Sequence, residues 1–280
     1  MRSIQIAQLN SNRFTGNISS SLSKLSYLSV LSLNVNSLTG EIPNVFCSLQ
    51  SLKALVLSNN NFRGQLPLSL FKISNLVSLV LTRNSFSGEI PSALGNLSLL
   101  EDLYLQNNDF DGSLPYSLCS LSNMKFLNLF SNRFQSSIPY CLSNLTNLEA
   151  LQIQSNMFSG SFPNIFRNMT AIESLDISNN DFLGSLPTSI FLLQNVKNVF
   201  IDKNRFSGSL PNNNKMSSVE KLDISNNHLT GIIPASIFRI PTMTLFAASI
   251  NCFDTNSIDD ICEIHSIKEL YLLGLSQNER

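Results

Sequence analysis

Residues Leu76–Leu97 of this 280-residue chain read LVSLVLTRNSFSGEIPSALGNL, and this segment contains the pattern from which the fold can be predicted. Its pattern, LxxLxLxxNxFxGxIPxxLxxL, recurs along the sequence in steps of 24 residues, with a single step of 23. The recurring asparagines are Asn12, Asn36, Asn60, Asn84, Asn108, Asn132, Asn156, Asn180, Asn204, Asn227 and Asn251. A fixed period of this length predicts a solenoid in which each repeat forms one coil and packs only against its neighbours.

Each position of the pattern has a physical reason. The alternation Leu79-Val80-Leu81 predicts a short strand with two leucines in the core and the residue between them on the other face. Asn84 follows where the chain turns out of the strand, and its amide can bond backbone groups that the turn leaves unpaired. Stacked coils would therefore form a ladder of asparagine amides.

The second half of the pattern predicts the return path. Aromatic residues recur two positions after the asparagine and should stack as one buried column: Phe62, Phe86, Phe110, Phe134, Phe158, Phe182 and Phe206. Gly88 permits a backbone conformation closed to other residues, and Pro91 fixes the chain as it enters the outer return segment.

The unit, with its NxFxGxIP segment, resembles the plant-type class of leucine-rich repeats found in receptor ectodomains and polygalacturonase-inhibiting proteins. The resemblance implies a leucine-rich-repeat solenoid of α/β type, a right-handed superhelix of about 11–12 repeats. It implies a parallel β-sheet on a concave face and irregular or 3-10 turns on a convex face. We expect residues 1–280 to form a single solenoid, since no linker interrupts the phase.

The pattern is broken at two places. Ser136 replaces the usual Gly, and the segment Pro211–Met216 lacks one residue and a core Leu, which should loosen the convex side there. A repeat that has drifted explains both, with a hinge or insertion site as the alternative. Beyond Asn251 the phase continues through Phe253, Ile261, Ile264, Ile267, Leu270 and Leu272. The sequence starts inside a repeat at Ile4 and stops soon after one at Leu275, so we expect one or both terminal caps to be lacking and the solenoid to be part of a longer one. The alternative is that residues 276–280 and the first few residues form minimal covers.

Catalysis and cofactor chemistry are disfavoured by the residues present. The only histidines, His228 and His265, fall about a coil and a half apart and off the strand face, and Asp259-Asp260 falls on the return segment. Neither a metal-ligand spacing nor a phosphate loop nor a serine elbow occurs, so we expect a non-enzyme with no cofactor and no metal. The net charge of -1 disfavours nucleic acid, and no apolar run is long enough to span a membrane.

Cysteines and glycosylation sequons bear on the compartment. The five cysteines leave at least one thiol free; Cys119 with Cys141 is the more plausible disulfide, Cys252 with Cys262 is another, and buried thiols explain all five equally well. Sequons occur at Asn17, Asn96, Asn144 and Asn168, the last three at one phase of the convex side. Together with the resemblance, this shared phase favours an extracellular or cell-surface protein.

The concave face, formed by the outward-pointing residues of the strands, is the predicted binding surface. Its central row is varied: Gln8, Ser32, Val56, Val80, Tyr104, Asn128, Gln152, Asp176, Phe200, Asp223, Ala247 and Tyr271. Such variety favours recognition of a peptide, glycan or protein partner. It disfavours an ice-binding or structural solenoid, which needs a regular row. An inhibitor of a cell-wall-degrading enzyme remains the alternative.

Within that face the pattern predicts one continuous contact patch. Phe126, Asn128 and Phe130 should emerge from a single strand, with Tyr104 on the strand before and Gln152 on the strand after. Asp176, Phe200, Asp202 and Asp223 should give the same face an acidic second half. Aromatic anchors beside polar groups are typical of binding hot spots.

Overall fold

A computed structural model of the chain describes residues 3–254 and 266–275. The predicted core positions Ile261 and Ile264, together with Cys262, His265 and Asp259-Asp260, lie outside the described residues. The chain divides into two compact units, Met1–Gln135 and Ser136–Arg280. Among the described residues, no helix is long and apolar enough to cross a membrane.

In the first unit every coil contributes one short strand to a parallel sheet, as the leucine alternation predicts. These strands are β1 (Ile6–Gln8), β3 (Val30–Ser32), β5 (Ala54–Val56), β7 (Ser78–Val80), β9 (Asp102–Tyr104) and β11 (Phe126–Asn128). Each residue pairs with the residue 24 positions later, so Ser78 faces Asp102 and Val80 faces Tyr104. The sequence period therefore becomes a straight row of side chains across the sheet.

The second unit repeats this arrangement. Its strands are β13 (Ala150–Gln152), β15 (Ser174–Asp176), β17 (Asn198–Phe200), β19 (Lys221–Asp223), β21 (Leu245–Ala247) and β23 (Glu269–Tyr271). Asp176 pairs with Phe200, and Phe200 pairs with Asp223. The register is thus kept through the single step of 23 residues, because the missing residue is taken from the return segment.

A second set of strands follows the ladder asparagines, which the sequence did not predict. In the first unit these are β2 (Thr15–Gly16), β4 (Ser37–Gly40), β6 (Asn61–Gly64), β8 (Ser85–Glu89) and β10 (Asp109–Asp111). At the unit boundary lies β12 (Gln135–Ser136), and the second unit holds β14 (Met157–Ser161), β16 (Asp181–Ser185), β18 (Arg205–Ser209), β20 (His228–Gly231) and β22 (Cys252–Phe253). Their backbone groups pair with those of the neighbouring coils, in a segment for which the repeat pattern predicts only a turn.

The return segments are mostly short 3-10 helices, as predicted. They span Ser20–Lys24, Phe46–Ser48, Leu70–Lys72, Ser92–Asn96, Tyr116–Ser120, Tyr140–Asn144, Phe166–Asn168 and Thr188–Leu192, and one α-helical turn, α1, spans Ala235–Phe238. Between β18 and β19, where every residue is described, the shortened segment forms no helical turn. Met216 is 1% exposed and occupies the core there in place of the absent Leu.

The asparagine ladder forms in both units. Asn60 donates from Nδ2 to the carbonyl of Leu33 in the preceding coil at 3.0 Å and to Leu57 in its own coil at 3.1 Å. Its Oδ1 accepts the backbone N–H of Leu38 at 3.0 Å. Asn204 makes the equivalent bonds in the second unit. Each buried amide therefore holds its own coil and the coil before it.

The phenylalanine column is fully buried and stacked within each unit. In the first unit ring centroids are 6.0 Å apart for Phe62 and Phe86, 6.1 Å for Phe86 and Phe110, and 6.2 Å for Phe110 and Phe134. In the second unit the rings of Phe158, Phe182 and Phe206 stack at 6.2 and 6.0 Å. All seven rings are 0% exposed. The near-parallel rings repeat the spacing of the coils.

Left-handed backbone recurs at two positions of each coil. Gly88 has φ +80°, and a Cβ there would lie 2.9 Å from the Gln65 side chain of the preceding coil, so this position needs glycine for two reasons. Ser136, which replaces that glycine, still adopts φ 70°. The residue before each ladder asparagine also has positive φ, even when it is the β-branched Val35 or Ile250.

The cysteines fall into two groups. Cys119 and Cys141, the more plausible pair from the sequence, are both disulfide-bonded. Cys47 is an exposed free thiol and Cys252 a partly buried one.

Candidate ligand-binding face

The concave face of the first unit carries an aromatic cluster: Tyr104, Phe126 and Phe130, all partly exposed. The rings of Tyr104 and Phe126 stack at 6.3 Å with an interplanar angle of 18°. Strand alternation places these side chains on the outer face, because the adjacent residues of the chain point into the core: Leu103, Leu127 and Leu129 are 1%, 1% and 0% exposed. The predicted aromatic residues are therefore accessible side chains on a regular sheet.

Asn128, which the pattern places between Phe126 and Phe130, is only 7% exposed. Its Oδ1 accepts the backbone N–H of Phe130 at 3.4 Å. The sequence predicted that Asn128 would emerge with the two phenylalanines, whereas the structure buries it, because its amide turns back to the end of its own strand. Asn128 therefore contributes little exposed polar surface to the cluster.

Polar and aromatic residues alternate across β9 and β11. In register, Asp102 lies beside Phe126, and Tyr104 lies beside Asn128. Two residues after Tyr104, Gln106 has a buried Oε1 without a hydrogen-bond partner. A buried acceptor of this kind gains free energy from a new donor, and Gln154 has the same feature at the equivalent position of the second unit. Gln106 could not be predicted from the repeat pattern, since the burial of its side chain depends on its neighbours in space.

On the strand face of its own sheet, the second unit carries the remaining predicted residues, all partly exposed: Gln152, Asp176, Phe200, Asp202 and Asp223. Two carboxylates bond their own strand ends. The Asp176 Oδ1 accepts the backbone N–H of Ser178 at 3.1 Å and its hydroxyl at 2.7 Å, and the Asp223 Oδ1 accepts the N–H of Ser225 at 2.9 Å. Much of their hydrogen-bonding capacity is used within the fold.

Asp202 is different from these two. Its side chain is 16% exposed, and its charged partner is Lys203, whose Nζ lies 3.7 Å from Oδ2. Burial, together with the nearby carboxylates of Asp223 and Asp176, raises the pKa of Asp202 to about 6, and Lys203 opposes this rise. Burial also raises the pKa of Asp176. The carboxyl group of Asp202 is therefore protonated at mildly acidic pH.

Outside the concave face, the predicted modification sites are all exposed. Asn96, Asn144 and Asn168 are the last residues of three 3-10 helices, and Asn17 follows β2. The histidine His228 is exposed on β20. Within residues 3–254 and 266–275, no group of three or more His, Cys, Asp or Glu side chains could hold a metal ion.

Comparison with known proteins identifies the repeat. The family model described as leucine-rich repeat region matches residues 3–161 and 83–280. No curated protein matches the chain. The Arabidopsis receptor kinase HAESA, solved with the peptide hormone IDA and the co-receptor SERK1, is 31% identical with a TM-score of 0.88, over 96% of this chain and 45% of that one.

Two further solved structures are similar. A TDR receptor is 29% identical with a TM-score of 0.92, over 96% of this chain and 47% of that one. A plant ice-binding protein shares the fold, at 21% identity and a TM-score of 0.65, over 98% of this chain and 84% of that one. The chain thus spans slightly less than half the length of the two receptor chains.

Proposed function

The chain belongs to the leucine-rich repeat family, and we propose that it is a ligand-binding module that takes a peptide or protein partner on its concave face. The observation that carries the proposal is the aromatic cluster of Tyr104, Phe126 and Phe130, partly exposed on a sheet whose other face is packed with buried leucines. Aromatic side chains supply large contact area at low entropic cost and are enriched in binding hot spots.

We propose a receptor-like extracellular setting for this module. The similar receptor HAESA was solved with a peptide hormone, which supports a peptide as the ligand class. The exposed sequons Asn96, Asn144 and Asn168 support passage through a secretory pathway, since glycans there would stand on the return segments and leave the strands uncovered.

A triple substitution tests the concave face. Changing Tyr104, Phe126 and Phe130 together to Ser should weaken partner binding by about 2 kcal/mol or more, the scale of a hot spot, because each loses its ring. The circular dichroism spectrum should stay unchanged, since none of the three belongs to the buried core. A matched triple variant on the return segments, with Tyr27, Leu68 and Tyr116 changed to Ser, should keep full binding; these side chains are 60%, 61% and 78% exposed.

The partner would be sought by panning a random peptide library on the immobilised wild-type chain, with the concave triple variant as counter-selection. Equal recovery of peptides on both proteins would refute the concave site. Inhibition of secreted polygalacturonases is the alternative function, and a dose-dependent loss of pectin hydrolysis that survives the triple substitution would favour it. A carbohydrate array probed with the same two proteins would identify a glycan ligand instead.

A further inference from the structure

The first unit's concave face is poor in charge, and its one charged side chain is acidic. The strands β1, β3, β5, β7, β9 and β11, all described, read IAQ, VLS, ALV, SLV, DLY and FLN, so Asp102 is their single charged residue. The basic residues close to these strands in sequence lie outside them: Lys125 is ion-paired with Glu101 at 2.7 Å, Arg83 lies in the turn after β7, and the exposed Lys53 directly precedes β5. Charge complementarity therefore favours a cationic group over an anionic one.

The ring of Tyr104 offers a stacking surface beside that carboxylate. Phe126 stacks from the β11 side, which turns the other ring face of Tyr104 toward β7. There the register places Ser78 beside Asp102 and Val80 beside Tyr104, both smaller than the tyrosine. A flat group that stacks on this side of the ring would lie close to the Asp102 carboxylate, because Asp102 is on the same strand as Tyr104. The facing position on β7 is Ser78, one strand spacing or about 4.8 Å from Asp102.

Hydrogen-bond acceptors surround the same ring. Asp102 precedes Tyr104 by two residues in β9, so its side chain leaves the strand on the side of the tyrosine. Gln106 lies two residues beyond the end of β9, at the outward position of the repeat pattern that Phe130 occupies in the next coil. The Gln106 Oε1 is buried and unpaired, and rotation of the side-chain amide would bring it to a donor at the surface. Acceptors that flank an aromatic face fit a planar cation with several N–H groups. A guanidinium has this shape, whereas an ammonium is compact and cannot stack on a ring.

We propose that the first unit binds an arginine side chain of a peptide ligand, stacked on the Tyr104 ring and bonded to Asp102 and Gln106. This inference rests on the proposed peptide-binding function and adds the chemistry of the residue that the cluster selects. Phe126 acts by fixing the Tyr104 ring from behind. Phe130 lies beyond the guanidinium site and contacts an apolar neighbour of the arginine in the peptide.

The test begins with a random heptapeptide phage library panned on the wild-type chain and counter-selected on the concave triple variant. Enriched peptides should contain arginine. In a resynthesised peptide, citrulline in place of that arginine keeps the shape and removes the charge, so we expect the affinity to fall by about tenfold or more. Lysine in the same place keeps the charge and loses the planar group, so we expect a similar fall in affinity. Calorimetry on the purified chain would measure each dissociation constant.

Protein variants locate the arginine. Asp102→Asn should weaken the arginine peptide by about tenfold and leave the citrulline peptide unchanged, so that the two changes are coupled. Asp111→Asn, the same substitution on an exposed residue of β10, should leave both peptides within about twofold. Gln106→Met should weaken the arginine peptide without lowering the melting temperature, whereas Gln65→Met, at an exposed position of the same unit, should not affect binding.

The outcomes separate this inference from the function on which it rests. Peptides enriched on the wild type but without arginine, or an arginine peptide indifferent to Asp102→Asn, would overturn the arginine site and leave peptide binding standing. No enrichment of any peptide over the triple variant would overturn both.

Discussion

Replacement of Phe110 by Ala measures how strongly stacking holds the coils together. The ring is 0% exposed and stacks between Phe86 and Phe134 at 6.1 and 6.2 Å. Truncation of a buried Phe costs about 3 to 5 kcal/mol, and loss of two aromatic pairs accounts for about 1 to 3 kcal/mol of that. We expect the free energy of unfolding to fall by about 4 kcal/mol, because the coils on both sides limit how far the cavity can collapse.

The aromatic column contains its own control. At the equivalent positions Leu38 and Leu229 occupy the column and are 6% and 0% exposed, so the site accepts leucine. Phe110→Leu should therefore cost only about 1 to 2 kcal/mol, since most of the volume is kept. Urea unfolding followed by circular dichroism would give both values from the shift in midpoint. A loss below about 1 kcal/mol for Phe110→Ala would show that the stacked ring does not stabilise the packing between coils.

Three further predictions follow from the backbone, the acidic residues and the exposed sequons. Ser136→Gly should raise the free energy of unfolding by about 1 kcal/mol in thermal or urea unfolding, since Ser136 has φ 70°. Gly160→Ser should lower the free energy of unfolding by a similar amount, although a Cβ there would meet only Ser137 at 3.6 Å. No gain in stability for Ser136→Gly would contradict backbone strain at Ser136. Because folding raises the pKa of Asp202 from 3.8 to about 6, the protonated carboxyl contributes its full stabilisation below about pH 4, and this stabilisation is lost as pH rises through 6. The free energy of unfolding should therefore drop by about 1 to 3 kcal/mol between these two pH values. Asp202→Asn should abolish this pH dependence and Asp111→Asn should keep it; an unchanged pH dependence in Asp202→Asn would count against the burial of this carboxyl. Protein secreted from a eukaryotic host should carry glycans at the exposed Asn96, Asn144 and Asn168 by peptide mass spectrometry, and bare peptides at all three would contradict the extracellular setting.

The sequence predicts most of the fold because the structural determinants of a coil lie within one period. Leu79 and Leu81 set the strand, Asn84 the ladder and Phe86 the column, and the contacts of Asn84 and Phe86 lie within their own coil and the neighbouring coils. The phase therefore predicts burial along the chain without any long-range information. The second set of strands was not predicted, since its pairing uses backbone groups that no side-chain pattern reveals.

The candidate site was less predictable, because side-chain depth on an open face depends on the neighbours. Alternation places Tyr104, Phe126 and Phe130 outward, but gives no reason for Asn128 to turn back to Phe130 or for Gln106 to bury its Oε1. Similarly, the pattern gives Asp202 a position on the face and no hint of its altered acidity, which arises from burial and from Asp223 on the next strand. The positive φ of Val35 is likewise set by the coil, not by the residue.

The amide of each ladder asparagine hydrogen-bonds to the backbone of the preceding coil, so that one whole coil can be gained or lost without changing these bonds elsewhere. Asn227 lies 23 residues after Asn204, yet it donates to Ile201 of the preceding coil at 3.2 Å and accepts from Phe206 at 3.0 Å like its counterparts. Gene duplication or loss of one whole period would join two ladder ends that already match. Length changes in the return segment leave the ladder intact. A lineage can thus lengthen, shorten or resurface such a protein by recombination within its own gene, without first passing through a sequence that fails to fold.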